Sequence, residues 1–293
     1  MLRKLVLLSL LIASGAQAAK VTGIDGVSVD VKNPKRIVAL NASTVEILFK
    51  LGKGNLLVGT DSSATYPAAA ARFATLGHPY RVPVEGTISL KPDLVIGTEE
   101  SFPESTAQQL RGAGLNVLKL ENSGEGGIPA LKRRITAIAA ALNAQASGQK
   151  LIREIDAQLA TLKAQVQKAN TKPRVLFLYA HGPGDASIYG RQTGSETLME
   201  LVGAVNAVDF TDGMKPLTAE AMVQANPDAI IMLERGFEAV KGLEGVLKMP
   251  GVALTNAGKN KRIYVVDNSI RWVGPRFPEF ASKLFKDMQA PAR

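Results

Sequence analysis

Cysteine is absent from this 293-residue chain, which excludes disulfides, thiolate metal sites and the lipidated cysteine that tethers some exported proteins to a membrane. There is no His-Glu-x-x-His helix, no Gly-rich phosphate loop ending in Lys-Ser/Thr and no nucleophile elbow, so the signatures of zinc proteases, nucleotide enzymes and serine hydrolases are missing. Aromatic residues make up only 5% of the chain, so each one in a polar loop is informative. Long apolar runs are missing as well. A membrane-spanning helix needs about 20 apolar residues, and the best candidate, Leu5 to Ile12, is interrupted by Ser9 and followed by Ser14 and Gly15.

That short run has a meaning of its own. Arg3 and Lys4 precede it and Ala16-Gln-Ala18 follows it, the charged, apolar and small-residue order of a cleavable secretion leader. Residues 1–18 are therefore expected to be removed and the product to lie outside the cytoplasm. Taking 18 from 293 residues leaves 275, more than one hydrophobic core usually serves, and two lobes are expected. The formal charge of +9, or +7 without Arg3 and Lys4, suits an anionic small ligand. The basic residues are scattered, and their one short run, Lys132 to Arg134, lies in a helical stretch and reads as a solvated face. No platform of interleaved basic and aromatic residues occurs, so no nucleic-acid partner is expected.

Two stretches follow one plan. Arg36-Ile-Val-Ala-Leu40 reads as a buried strand that passes through a polar turn into a helix ending at Gly52. Arg174-Val-Leu-Phe-Leu-Tyr179 passes through a Gly-rich loop into a helix ending at Gly203, in the same grammar. In each copy a glutamate, Glu85 or Glu220, lies seven residues before a Pro-Asp pair and an apolar strand follows. Residues 116–120 and 262–267 supply a closing strand in each. Alternating strands and helices predict an α/β fold of two pseudo-repeated lobes with mainly parallel sheets.

Between the copies the pattern is helical. Ile128, Leu131, Ile135, Ile138 and Leu142 form one apolar stripe, ended by Asn143. Leu151, Ile155, Leu159, Leu162 and Val166 form a second stripe on a helix from near Gln145 to Ala169, which at 1.5 Å per residue spans about 37 Å. The expected organisation is a lobe over 19–127, a helical segment over 128–169 and a lobe over 170–293. One long helix joins the lobes, and the ligand cleft lies between them.

A leader, two repeated α/β lobes and one bridging helix resemble the helical-backbone family of periplasmic binding proteins, whose members carry haem, cobalamin or ferric siderophores to ABC importers. The resemblance covers essentially all of the chain after residue 18. The segment from Val58 to Pro67 containing Thr65-Tyr-Pro67, then Gly77-His-Pro-Tyr-Arg81 and Glu85-Gly86, are similar to the haem branch. So are Tyr179-Ala-His-Gly-Pro-Gly184, Tyr189-Gly-Arg191, Lys215 to Glu220 and Gly274-Pro-Arg276. The cargo the resemblance implies is haem b, as haemin. It makes Tyr66 an axial ligand, and hard ferric iron favours a phenolate oxygen. Arg235, in Arg235-Gly-Phe-Glu238, would stand opposite that tyrosine as its cation. His181 would offer a second axial ligand, Arg81 a donor to the propionates, and Tyr80 and Tyr189 the walls of the cleft. Glu85 and Glu220 would dock with arginines of a permease dimer in the inner membrane. The resemblance further implies a periplasmic monomer and, upstream of it, an outer-membrane haem uptake system.

Read from the residues alone, each assignment has a plainer counterpart. Tyr66 also suits surface packing, His181 a solvated loop, Arg81 an ion pair and Arg235 a strand end. Glu85 and Glu220 suit the positive end of a helix dipole, and His78 reads as a packing residue. A siderophore or cobalamin carrier would use the same cleft without needing Tyr66 to touch iron. A hydrolase built on His181 with Ser187 or Ser195 and Asp185 would crowd its groups into one loop with nothing to orient the base.

Overall fold

The structure is a computed structural model that describes residues 20–290 except positions 183 and 192; the leader read in residues 1–18 lies outside them. A short antiparallel pair, β1 (Val21–Thr22) and β2 (Ser28–Val29), precedes the first sheet. That sheet holds β3 (Ile37–Ala39), β4 (Leu57–Thr60), β5 (Ala74–Thr75), β6 (Leu94–Thr98) and β7 (Val117–Leu120), all parallel, in the order β5-β4-β3-β6-β7. Helices α1 (Ala42–Lys50), α2 (Val84–Ser89) and α3 (Glu104–Gly112) lie in its connections. Ile37, Val38, Leu94, Val95 and Ile96 are fully buried, as a parallel sheet covered on both faces requires.

Two antiparallel helices follow, α4 (Gly127–Ala141) and α5 (Gln145–Ala169), turned at Asn143 with φ 51°. Beyond them the second sheet repeats the first. Its strands β8 (Arg174–Gly182), β9 (Asp185–Tyr189), β10 (Val205–Asn206), β11 (Met214–Pro216), β12 (Ala229–Leu233) and β13 (Ile263–Val266) run β11-β9-β8-β12-β13, with β10 beside the start of β8. Only β9 opposes the rest, because β8 and β9 form a hairpin. Helices α6 (Gly194–Leu201), α7 (Ala219–Ala225), α8 (Glu234–Ala239), α9 (Gly242–Leu247), α10 (Asn256–Lys259) and α11 (Phe277–Gln289) complete the chain.

The Pro-Asp motifs have the same task in both sheets. Asp93 accepts from the backbone N–H groups of Lys35 and Arg36 at 2.6 and 2.9 Å, and Asp228 accepts from that of Arg174 at 2.9 Å. In return each aspartate's own N–H donates to the carbonyl of Arg36 or Arg174. The central strand of each sheet is thus locked in register by a side chain at the foot of its neighbour.

The basic run in α4 departs from expectation. Lys132 pairs with Asp156, and Arg133 pairs with Glu121 at 2.6 Å on the surface. Arg134, however, is 1% exposed. It lies three residues after Leu131 and four before Ile138, on the helix face that carries the apolar stripe, so it enters the core with Leu131, Ile135 and Ile138. There it donates to the carbonyls of Asn122 at 3.0 Å and Val273 at 2.5 Å. Burial lowers its pKa to about 10, which leaves it charged at neutral pH.

Val273 belongs to a segment, residues 268–276, that leaves the second sheet after β13 and seats itself in the first lobe. Its carbonyl also accepts from Ser43 Oγ at 3.1 Å, and its N–H donates to the carbonyl of Ser123 at 2.8 Å. Arg276 then reaches Glu46 on α1 with two hydrogen bonds, 3.1 and 2.7 Å. One apolar cluster accordingly runs through both lobes, joining Ile47 and Leu48 of α1 to Ile135, Leu162, Phe177 and Phe277.

Candidate ligand-binding cleft

The C-terminal ends of parallel strands are where α/β sheets leave space for ligands, and in the first lobe those ends are tied by one polar network. Asn41, after β3, takes φ 81° and caps α1 by accepting from the N–H of Ser43. Its Nδ2 donates to Glu100, after β6, at 2.9 Å and to Ser123 Oγ, after β7, at 2.8 Å. Asp61, after β4, accepts from the N–H groups of Asn41 and Ser63 at 2.5 and 2.8 Å and from Ser63 Oγ at 2.5 Å. Burial pushes the Asp61 carboxyl up, against the pull of these donors. The network fixes the start of the loop that carries Tyr66.

Tyr66 is 40% exposed, and among the described residues its hydroxyl has no hydrogen-bond partner. The cation against it is Arg276, whose guanidinium lies over the ring at 3.7 Å from the centroid. Arg235 does not reach Tyr66. It donates instead to the hydroxyl of Tyr179 on β8, and its guanidinium stands 5.3 Å from that ring. The physical reason is position: Arg235 opens α8 at the end of β12, the neighbour of β8, so its nearest phenol comes from its own sheet.

Tyr179 is the centre of a second group. Arg271, from the interlobe segment, donates to Tyr179 Oη at 3.0 Å and to Tyr80 Oη of the first lobe at 3.3 Å. Tyr189 and His181 stand edge-on to the Tyr179 ring, with centroids at 6.0 and 4.6 Å. Burial pushes the phenols of Tyr80 and Tyr189 up, with Arg271 acting against it in both. Both are therefore neutral hydroxyls available as donors. Tyr80, Phe177, Tyr189, Ile270 and Arg271 wall a hollow between the lobes. Another hollow, lined by Leu217, Val240 and Met249, lies wholly in the second lobe and has no aromatic wall. Tyr66 does not line the interlobe hollow; its link to that group runs through the segment that carries both Arg271 and Arg276.

His181 is exposed near the tip of the β8–β9 hairpin. The sequence reading made it the counterpart of the Tyr66 loop, but that loop follows β4, whereas His181 still lies in the central strand. Counting from the matched residues Arg36 and Arg174, Tyr179 corresponds to Asn41. The second sheet puts a phenol where the first puts a capping amide, because β8 runs on into a hairpin instead of turning into a helix. Ser195 bonds to Thr193 Oγ1 at 2.8 Å, and no contact joins it or Ser187 to His181 among the described residues.

The remaining predicted residues lie at the rim. Arg81 is exposed with no side-chain partner among the described residues, and His78 is exposed beside Tyr80, 5.4 Å between ring centroids, rather than packed in the core. Glu85 and Glu220 are exposed in the first turns of α2 and α7, one on each lobe. Sequence reasoning missed Tyr179 and Arg271 as site residues. The available signal was Arg271-Trp-Val-Gly-Pro-Arg276, two arginines around an aromatic in the stretch between the last strand and the last helix.

Three relatives bear on this arrangement. A periplasmic haem-binding protein, RhuT of Roseiflexus sp. RS-1 in its apo form, superposes with a TM-score of 0.84 at 34% identity, covering 88% of this chain and 99% of its own. The ABC transporter substrate-binding lipoprotein YvrC of Bacillus subtilis (strain 168) is 32% identical over 258 residues, 86% of this chain and 79% of that protein. A cobalamin-binding protein of Halobacterium salinarum is 29% identical over 204 residues, 68% of this chain and only 53% of its own length. Among the described residues no helix is long and apolar enough to cross a membrane. The sequence profile of the Periplasmic binding protein family matches residues 37–270; the chain belongs to that family of substrate-binding components of ABC importers and is a carrier, not an enzyme.

Proposed function

We propose that this protein captures haem b between its lobes and delivers it to an ABC permease dimer. The observation that carries the reading is the interlobe group of phenols and arginines, in a chain that follows a haem-binding protein over 88% of its length. An aromatic hollow suits the ring, and cations suit its anionic edge. Tyr66 is the proposed axial ligand, on the support of an exposed hydroxyl without a partner and a guanidinium against its ring. His181 is proposed for the opposite axial position, with Tyr80 and Tyr189 against the ring and Arg81 and Arg235 as donors at its edge. Glu85 and Glu220 are the proposed permease contacts. In this reading the lobes are 19–127 and 170–293, joined by 128–169, and the protein acts as a periplasmic monomer after cleavage of its leader, fed from an outer-membrane haem system.

Haemin titration followed by absorbance tests the proposal. A complex of about 1:1 stoichiometry with a tyrosinate charge-transfer band is expected, and Tyr66→Phe, which keeps the ring and removes the oxygen, should abolish that band. An unchanged band in Tyr66→Phe ends the assignment. A corrinoid carrier is the second reading, favoured by the cobalamin-binding relative; saturable binding of cyanocobalamin with no response to haemin would establish it instead.

A further inference from the structure

We propose that the hollow within the second lobe, apart from the interlobe cleft, binds an aliphatic carboxylate, with its apolar tail against the walls and its acidic head between Lys241 and Lys248. The inference does not depend on what the cleft carries. The hollow forms where the β8–β9 hairpin, the stretch before α7 and the turns around α9 meet, and Ala186, Leu217, Val240, Met249 and Pro250 supply its walls. The Leu217 N–H donates to the Ala186 carbonyl and ties two of these segments together. Val240 and Met249 belong to the second lobe's own apolar cluster, against which Ala186 and Leu217 pack. The hollow thus opens onto a face of the core. It holds about 370 Å³, within the roughly 300 to 1,000 Å³ of small-ligand sites. Water gains little from such walls because it needs several polar partners, whereas an apolar tail placed there escapes water and meets packed carbon.

The mouth of the hollow is charged. Lys241, Glu244 and Lys248 line it, and all three are exposed. None makes an ion pair among the described residues, whereas Lys119, Lys132, Lys150 and Lys283 do. Two cations and one anion leave an excess of one positive charge, which attracts a monoanion and repels a cationic head. The backbone fixes the place of Lys241. It takes φ 66° at the start of α9 and Gly242 follows at φ 76°, a left-handed conformation that glycine adopts freely and lysine does not. A side chain at Gly245 would strike the Val240 carbonyl, so α9 closes directly onto the end of α8 and holds that turn. Residues kept in such conformations cluster at ligand clamps, and this one sets an amine beside the Val240 wall. Lys248 brings a second amine to the same rim. The stem of either lysine can lie along apolar surface while its ammonium bonds a carboxylate.

Calorimetric titration of the full chain with dodecanoate, and with dodecyltrimethylammonium, which has the same tail and a cationic head, tests the site. Dodecanoate should bind saturably at about 1:1 and the cation about tenfold or more weakly. Lys241→Gln combined with Lys248→Gln should lose about tenfold or more of the dodecanoate affinity, as removal of two charge-assisted contacts predicts. Ala186→Leu, which fills the hollow from β9, should weaken both ligands, and thermal melting checks that each variant is folded. The proposal is overturned if the wild type does not bind dodecanoate or binds the two ligands equally. It is also overturned if either the paired lysine variant or a folded Ala186→Leu binds dodecanoate as the wild type does. Displacement of dodecanoate by haemin, with no effect of these substitutions, would place it in the interlobe cleft and refute the second site. None of these outcomes bears on Tyr66 or on the haem reading.

Discussion

A carboxylate and a guanidinium meet almost out of water at Glu46 and Arg276, whose side chains are 4% and 10% exposed. Removing one member of such a pair strands the other, so Glu46→Ala should cost about 3 to 5 kcal/mol in denaturant unfolding. Burial pushes the Glu46 carboxyl up, with Arg276 pulling against it. The folded protein therefore keeps a proton on Glu46 at pH values just above 4.5, where the unfolded chain has released its own. Stability from this group is fully present below that pH and is lost as pH rises through the raised value. Glu46→Gln keeps the shape and cannot titrate, so its melting temperature should gain on the wild type as pH rises from acid toward neutral. A difference independent of pH would refute this account. Because Arg276 also stacks on Tyr66, the same pair fixes the cation that backs the proposed iron ligand.

At the scale of helices and strands, patterns carried by neighbouring residues were legible. The apolar stripes of α4 and α5, the left-handed turn at Asn143 and the repeated Glu-to-Pro-Asp motif depend on spacings of a few residues, which the sequence displays directly; the locks that the two aspartates make reach residues more than fifty positions back. What escaped depends on distant partners: Arg134 on a carbonyl 139 residues away and Arg276 on a carboxylate 230 away. No local pattern marks one arginine of a basic run as the buried one until the helix face is fixed. The contact of Arg235 with Tyr179 likewise joins residues 56 positions apart. The two short helices α2 and α7 carry a sharper test. Thr218 already caps α7 by accepting from the N–H of Ala221 at 3.1 Å, so Glu220 is not needed as its cap. If Glu85 and Glu220 instead meet permease arginines, Glu85→Ala with Glu220→Ala should weaken permease binding more than either change alone and leave haemin affinity intact. A loss of about 0.5 to 2 kcal/mol in stability with normal permease affinity would mark them as capping residues only.

Over the whole molecule the lobes are joined twice. Helix α5 spans them as one 25-residue rod, and residues 268–276 return from the second lobe to bond Ser43, Ser123 and Glu46 in the first and Arg134 in the joining segment. The sequence pattern gave only the rod. Hinge closure of the kind that folds two lobes round a ligand would have to break this second crossing and open a shared apolar cluster. Small-angle scattering curves with and without haemin should therefore nearly coincide, and a marked compaction on binding would contradict the double connection.

The returning segment also bears on the order in which the protein can assemble. Chains usually fold from the N-terminus as they are made, yet here the first lobe buries Glu46 against an arginine 230 residues downstream. Until residue 276 is available, that carboxylate has no cation and the Ser43 hydroxyl no Val273 carbonyl to meet. The first lobe thus lacks partners for those groups until residue 276 is made, and a fragment ending before Asn268 should be cleaved by proteases faster than the full chain.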